Sequence, residues 1–178
     1  AQDVAATISL AERERPDMVV VGPEAPLVSG LADKLRERGV RVVGHSAAAA
    51  RLEGSKIFSK EFMVRHGIPT ARFVACNTAD EARSAVRDAG FGLPVVIKAD
   101  GLAAGKGVRI AATHAEADDA IDAFMVRGEL GDAGGRVLVE EAITGREASL
   151  LYFTDGHRLL PLPAAQDYKR VGDGDKGP

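Results

Sequence analysis

Apolar residues recur along the first third of the chain in two alternating rhythms. Val4, Ile8 and Ala11 repeat at helical spacing, which predicts a helix over residues 4–15 that Pro16 and Asp17 end before the unbroken apolar run 18–21. Leu27, Leu31 and Leu35 predict a second helix, Gly39 stops it, and residues 40–43 read as the next strand. Helix, strand, helix, strand is the grammar of an open parallel sheet, in which ligands bind beyond the carboxyl ends of the strands. That rule puts the turn Gly22-Pro23-Glu24-Ala25-Pro26 at a candidate site edge, and a plain strand-to-helix turn fits the same residues.

The pattern then changes. Residues 46–52 are a stretch of mostly small side chains, after which Ser55 is the expected N-cap of an amphipathic helix carrying Ile57, Phe58, Phe62 and Met63. Residues 44–69 thus read as a hinge and connector. Beyond Pro69 the rhythm gives a strand at 72–76, a helix at 80–89, strands at 94–98 and 108–112, a helix at 115–127 and a strand at 136–141, a compact α+β unit. Residues 147–153 and 158–162 flank Thr154-Asp155-Gly156-His157, a hairpin signal that begins a further sheet.

Composition narrows the function classes. The 178 residues carry a net charge of -3 with both signs interspersed, so no basic field points to nucleic acid and no polybasic helix to a membrane surface. The single cysteine, Cys76, has no internal partner and reads as a buried small apolar residue; cytoplasmic placement is the expectation. His45, His66, His114 and His157 show no metal-ligand spacing. The chain opens on Ala1 rather than Met and ends in a Gly- and Asp-rich run, so it is expected to be an internal fragment.

One stretch carries chemistry. Val95-Val-Ile-Lys98-Ala-Asp-Gly101-Leu-Ala-Ala-Gly105-Lys106-Gly107-Val108 sets two lysines around a glycine-rich loop between apolar runs. Glycine lets backbone N–H groups approach a ligand closely, and two ammonium groups suit an oligophosphate, which makes ATP the first ligand to test. It is not a Walker A loop: the glycine spacing is one residue short, Gly107 stands where Ser or Thr is required, and Val108 and Ile110 alternate like a strand rather than opening a helix. A strand–loop–strand flap over phosphates fits better; a glycine-rich hairpin with two solvated lysines remains the plain alternative.

With Glu140-Glu141 and Gly145-Arg146-Glu147-Ala-Ser added, the chain resembles the ATP-grasp enzymes, and within them the phosphoribosylamine–glycine ligase family. The strings Val21-Gly-Pro-Glu-Ala-Pro-Leu27, Leu52-Glu-Gly-Ser-Lys56, His66-Gly-Ile-Pro-Thr70, 96–108 and 166–173 carry the likeness in order. It implies α/β and α+β architecture: 1–52 as the C-terminal part of an N-terminal parallel α/β substrate domain, 53–72 as a helical connector, 73–139 as an ATP-grasp lid subdomain and 140–178 as the beginning of the central ATP-grasp domain. It further implies that ATP phosphorylates the carboxylate of glycine and that 5-phosphoribosylamine attacks the glycyl phosphate, giving glycinamide ribonucleotide, ADP and phosphate in purine biosynthesis. Lys56 and Lys98 would meet the ATP phosphates, with the Gly105-Lys106-Gly107 backbone over them. The main chain of Glu140, Glu141 and Ile143 would meet adenine, and Glu147 the ribose.

Gly22, Pro23 and Glu24, with Asp167, Lys169 and Arg170, would line the pocket of the small substrates. Tyr168 stands where the family often has His, which puts any imidazole role there in doubt. Magnesium, with manganese as an alternative, would be held by a Glu and an Asn beyond Pro178 and by no residue of this chain, so the fragment alone is expected to be inactive. It is expected to be a monomer, with glycine and 5-phosphoribosylamine as its small-molecule substrates and neither a nucleic-acid nor a membrane partner. Another ATP-grasp carboxylate–amine ligase, or a nucleotide-binding domain without chemistry, are the alternatives.

Overall fold

The computed structural model describes residues 3–166, 171–172 and 177. Two compact units divide at residues 142 and 143. The first opens with α1 (Val4–Glu14), whose N-cap Asp3 accepts from the Ala6 N–H through Oδ1 at 3.0 Å. Strands β1 (Val19–Val20) and β2 (Val42–Val43) pair in parallel, Val19 beside Val42, as the helix–strand alternation requires. The helix expected through Leu27, Leu31 and Leu35 is two short ones, α2 (Glu24–Val28) and α3 (Leu31–Arg36). Gly30 breaks them apart with φ of +80°, a left-handed conformation that glycine adopts without a Cβ penalty, and all three leucines are buried nonetheless.

Of residues 46–52, read from sequence as a small-residue connector, all but the first belong to a helix. Helix α4 (Ala47–Gly54) is capped by Ser46, whose Oγ accepts from the Ala49 N–H at 3.2 Å. Alanine has the highest helix propensity of all residues, and the Ser46 cap together with packing of Ala50 against Leu27 and Ala32 suffices to form one here. A single extended residue, Ser55, ends α4 and caps α5 (Lys56–Arg65), accepting from the Phe58 N–H at 3.1 Å. The connector is therefore a pair of helices turning at one serine.

A four-stranded antiparallel sheet follows, in the order β3 (Phe73–Cys76), β6 (Val137–Glu141), β4 (Val95–Ala99), β5 (Val108–Ala111). Helices α6 (Ala79–Asp88) and α7 (His114–Ile121) cover one face, and Cys76, Val95, Ile97, Ala99, Val137 and Val139 point into the core between. The helix expected to reach residue 127 loosens after Ile121 into a wide π-type turn, Asp122–Val126. Gly134 packs against that turn so closely that a Cβ there would lie 2.5 Å from the Phe124 carbonyl oxygen.

The second unit contains the hairpin β7 (Tyr152–Thr154) and β8 (Leu159–Pro161), with Thr154 opposite Leu159. Its turn is fixed by Asp155, whose Oδ1 accepts from the His157 and Arg158 N–H groups at 2.9 and 2.7 Å. Those bonds hold the Asp155 carboxyl below the usual carboxylate range. Among the described residues no helix is long and apolar enough to cross a membrane.

Candidate active site

The alternation of β4 decides which of its side chains can do chemistry. Val95, Ile97 and Ala99 enter the helix-covered core, so Val96 and Lys98 face the other way. On the neighbouring strand, register sets Glu140 opposite Val96 and Leu138 opposite Lys98, which makes Lys98 and Glu140 diagonal neighbours on one face. Long side chains span that diagonal. Lys98 Nζ accordingly lies 2.7 Å from Glu140 Oε2.

Glu140 is only 2 % exposed, which a carboxylate tolerates only when its charge is matched. A second ammonium supplies the match: Lys60 Nζ from α5 is 3.1 Å from Glu140 Oε1. This approach is an ion pair without hydrogen-bond geometry. Lys60 gives its hydrogen bonds to Thr70 Oγ1 at 2.7 Å and the Ala71 carbonyl at 3.3 Å, and the buried Oε1 accepts none among the described residues.

The flap itself runs from Asp100 to Gly107 between β4 and β5. Ala99 N–H reaches the Gly107 carbonyl at 2.8 Å and Lys106 N–H the Ala103 carbonyl at 2.9 Å, closing a tight turn in which Ala104 and Gly105 both take positive φ, 47° and 80°. Gly101 and Gly107 are glycines for lack of room. An added Cβ would sit 2.9 Å from Ala133 Cα in the first case and 2.8 Å from Ala103 Cβ in the second.

Asp100 ties this flap to the connector. It is 7 % exposed; its Oδ1 accepts from Ser55 Oγ at 2.7 Å and from the Ile57 N–H at 2.8 Å, and its Oδ2 from Arg136 Nη2 at 2.6 Å. Its carbonyl accepts from the Lys56 N–H at 3.0 Å, and Lys56 Nζ donates to the Gly101 carbonyl at 3.3 Å. Lys56 and Lys98, distant in sequence, are thereby held to the two ends of the same short segment. Lys56, Lys60 and Lys98 against Glu140, and Arg136 against Asp100, leave an excess of positive charge, the condition for an anionic ligand.

The remaining expected residues divide. Glu141 is partly buried at the end of β6 and is clamped by Arg72, whose N–H and Nε reach its two oxygens at 2.8 and 2.6 Å. The backbone N–H first and the guanidinium second hold its carboxyl below the ordinary range. Lys106 is exposed on the flap. Gly22, Pro23 and Glu24 lie exposed where β1 gives way to α2, and no hydrogen bond or ion pair joins them to the lysine cluster among the described residues. Ile143 and Glu147 belong to the second unit and are exposed. Asp167, Tyr168, Lys169 and Arg170 fall outside the described residues.

Sequence reasoning missed Lys60, Asp100, Arg136 and Arg72. For Lys60 a signal existed: it follows Lys56 by four positions, so the two share a helix face.

Residues 54–178 match the ATP-grasp (A) domain of phosphoribosylglycinamide synthetase, and residues 1–53 match the N domain of the same synthetase. The chain belongs to the phosphoribosylglycinamide synthetase family. A phosphoribosylamine–glycine ligase of Xanthomonas axonopodis pv. citri is 50% identical over 176 residues, 99% of this chain and 40% of the relative. The chain thus spans about two fifths of the length of the curated synthetases it matches. The solved phosphoribosylamine–glycine ligase of Thermotoga maritima superposes with a TM-score of 0.79 at 35% identity, covering 96% of this chain and 41% of that one. A biotin carboxylase of Campylobacter jejuni shares the fold alone, with a TM-score of 0.76 at 20% identity over 90% of this chain and 36% of its own.

Proposed function

We propose that this chain supplies the lid and part of the ATP cleft of an ATP-dependent ligase that joins glycine to 5-phosphoribosylamine. ATP would first phosphorylate the glycine carboxylate, giving glycyl phosphate and ADP, and the amine of phosphoribosylamine would then displace phosphate from it to give glycinamide ribonucleotide. The observation that carries the reading is Lys98, a part-exposed ammonium on the face of the sheet away from α6 and α7, at the root of a glycine flap, in a chain half identical to such ligases over nearly its whole length. Within the same reading, residues 1–52 close a substrate domain, 53–72 connect, 73–139 form the lid and 140–178 begin the central domain.

The residues fit the nucleotide on physical grounds. Lys56 and Lys98 provide cationic charge for its phosphates, and the backbone around Gly105, Lys106 and Gly107 is suited to lie over them because residues 104–106 at the tip are exposed while the packed Gly101 and Gly107 anchor the flap's two ends. The strand-end segment from Glu140 to Ile143 is assigned to adenine, with Glu147 for the ribose; Glu24, Asp167, Lys169 and Arg170 are assigned to the small substrates. Bound magnesium, or manganese, would add charge neutralisation at the transferring phosphoryl group. The lid's task is to exclude water from an acyl phosphate that water would hydrolyse.

The test is steady-state ADP release by the full-length protein with and without glycine and phosphoribosylamine. Glycine-dependent release that disappears in Lys98→Ala is expected. Release indifferent to glycine would favour a different ligase of the same fold, and unchanged activity in Lys98→Ala would refute the phosphate role.

A further inference from the structure

We infer that Lys60 is a positioning residue for phosphate binding: by neutralising Glu140 it leaves the charge of Lys98 available to the nucleotide. The inference rests on the ATP-binding reading above and adds to it a group that need not touch ATP.

The charge count carries it. Glu140 is buried, with its side chain 3% exposed, and it stands between two ammonium groups, Lys60 at 3.1 Å from one oxygen and Lys98 at 2.7 Å from the other. With Lys98 alone the pair would be neutral, and drawing the ammonium toward a phosphate would strand a buried carboxylate, an expensive state. With Lys60 present the trio carries a net positive charge, and Glu140 keeps a partner whichever way Lys98 leans.

The two lysines are built for different parts. Lys60 has its side chain 12% exposed and is fixed from behind by Thr70 Oγ1 and the Ala71 carbonyl, with the Phe73 ring centroid 5.6 Å from its Nζ. Lys98, 28% exposed, gives no such bonds among the described residues and is the more exposed of the two cations. The fixed lysine balances the carboxylate and the open one meets the ligand.

The experiment compares ATP with adenosine, which shares the base and sugar but not the phosphates. Binding of each to the full-length protein is titrated by calorimetry for the wild type, Lys60→Met, Lys60→Arg, Glu140→Gln and the double variant Lys60→Met/Glu140→Gln. Circular dichroism establishes that each is folded. Lys60→Met is expected to weaken ATP by about tenfold or more, the effect of one unit charge acting over several ångströms at an intermediate dielectric, with adenosine little changed. Lys60→Arg should retain ATP affinity, and the double variant should regain most of it, because Lys98 then stands unneutralised.

Equal weakening of ATP and adenosine in Lys60→Met, or a double variant as weak as Lys60→Met, would overturn the charge argument. Should Lys60→Met not fold, Glu140→Gln decides alone: the preference for ATP over adenosine must hold or rise, and a fall overturns the proposal. A wild-type protein that binds no ATP would refute the reading beneath it instead.

Discussion

Replacing Asp100 by alanine should loosen the flap from the connector, and its cost can be built from the bonds lost. Oδ1 receives the Ser55 hydroxyl and the Ile57 N–H, the latter a first-turn donor of α5 without an intrahelical acceptor, and Oδ2 receives Arg136. Hydrogen bonds to a charged acceptor contribute about 1.5–3 kcal/mol each, so the two on Oδ1 amount to about 3–6 kcal/mol. The Arg136 side chain is half exposed, which limits its share to about 1 kcal/mol.

Asp100→Ala is therefore expected to lower unfolding stability by about 4–7 kcal/mol. Asp100→Asn, which keeps an oxygen toward Ser55 and Ile57 and gives up the charge, should cost about 1–2 kcal/mol. Equilibrium urea unfolding of the chain, followed by circular dichroism, measures both. Because Lys56 reaches Asp100 and Gly101 through its N–H and its Nζ, amide exchange across residues 101–107 should also quicken in the alanine variant. An alanine variant within about 0.5 kcal/mol of wild type, or an asparagine variant as poor as alanine, would refute the account of Asp100 as a charged cap.

Further outcomes are expected. Gly134→Ala must push the Phe124 carbonyl aside and should cost about 1–3 kcal/mol in the same unfolding assay. Arg72 depresses the Glu141 carboxyl, so the pair stabilises the fold above the ordinary glutamate pKa of about 4.3 and that contribution fades as pH falls through the lower folded value; the melting difference between wild type and Glu141→Gln should shrink below about pH 4, and a difference constant from pH 3 to 7 would speak against the clamp. Burial first and the Glu81 charge second raise the Cys76 thiol to about 11, so disulfide reagents at pH 8 should label it only as fast as the chain opens; prompt labelling in the native state would contradict its buried position.

What the sequence disclosed follows from the range over which each pattern acts. Strand alternation and caps are local, so the flap between β4 and β5, the Ser55 cap and the parallel pairing of the first strands were legible, and Lys98 could be named because a lysine closing an apolar run is conspicuous. The break at Gly30 and the Ala-rich α4 were misread because each depends on a weak preference that burial of Leu27, Leu31 and Leu35 or a Ser46 cap tips one way. The polar partners were hidden for a different reason. Asp100 meets Ser55 and Arg136 across 45 and 36 positions, and Lys60 meets Glu140 only once α5 lies beside β6. No spacing rule links such residues. A buried carboxylate, however, obliges the fold to bring it cations, so a sequence that places Glu140 on a covered strand implies missing partners even before they can be named. In this chain the partner on the helix proved to be the residue one turn after the lysine already singled out.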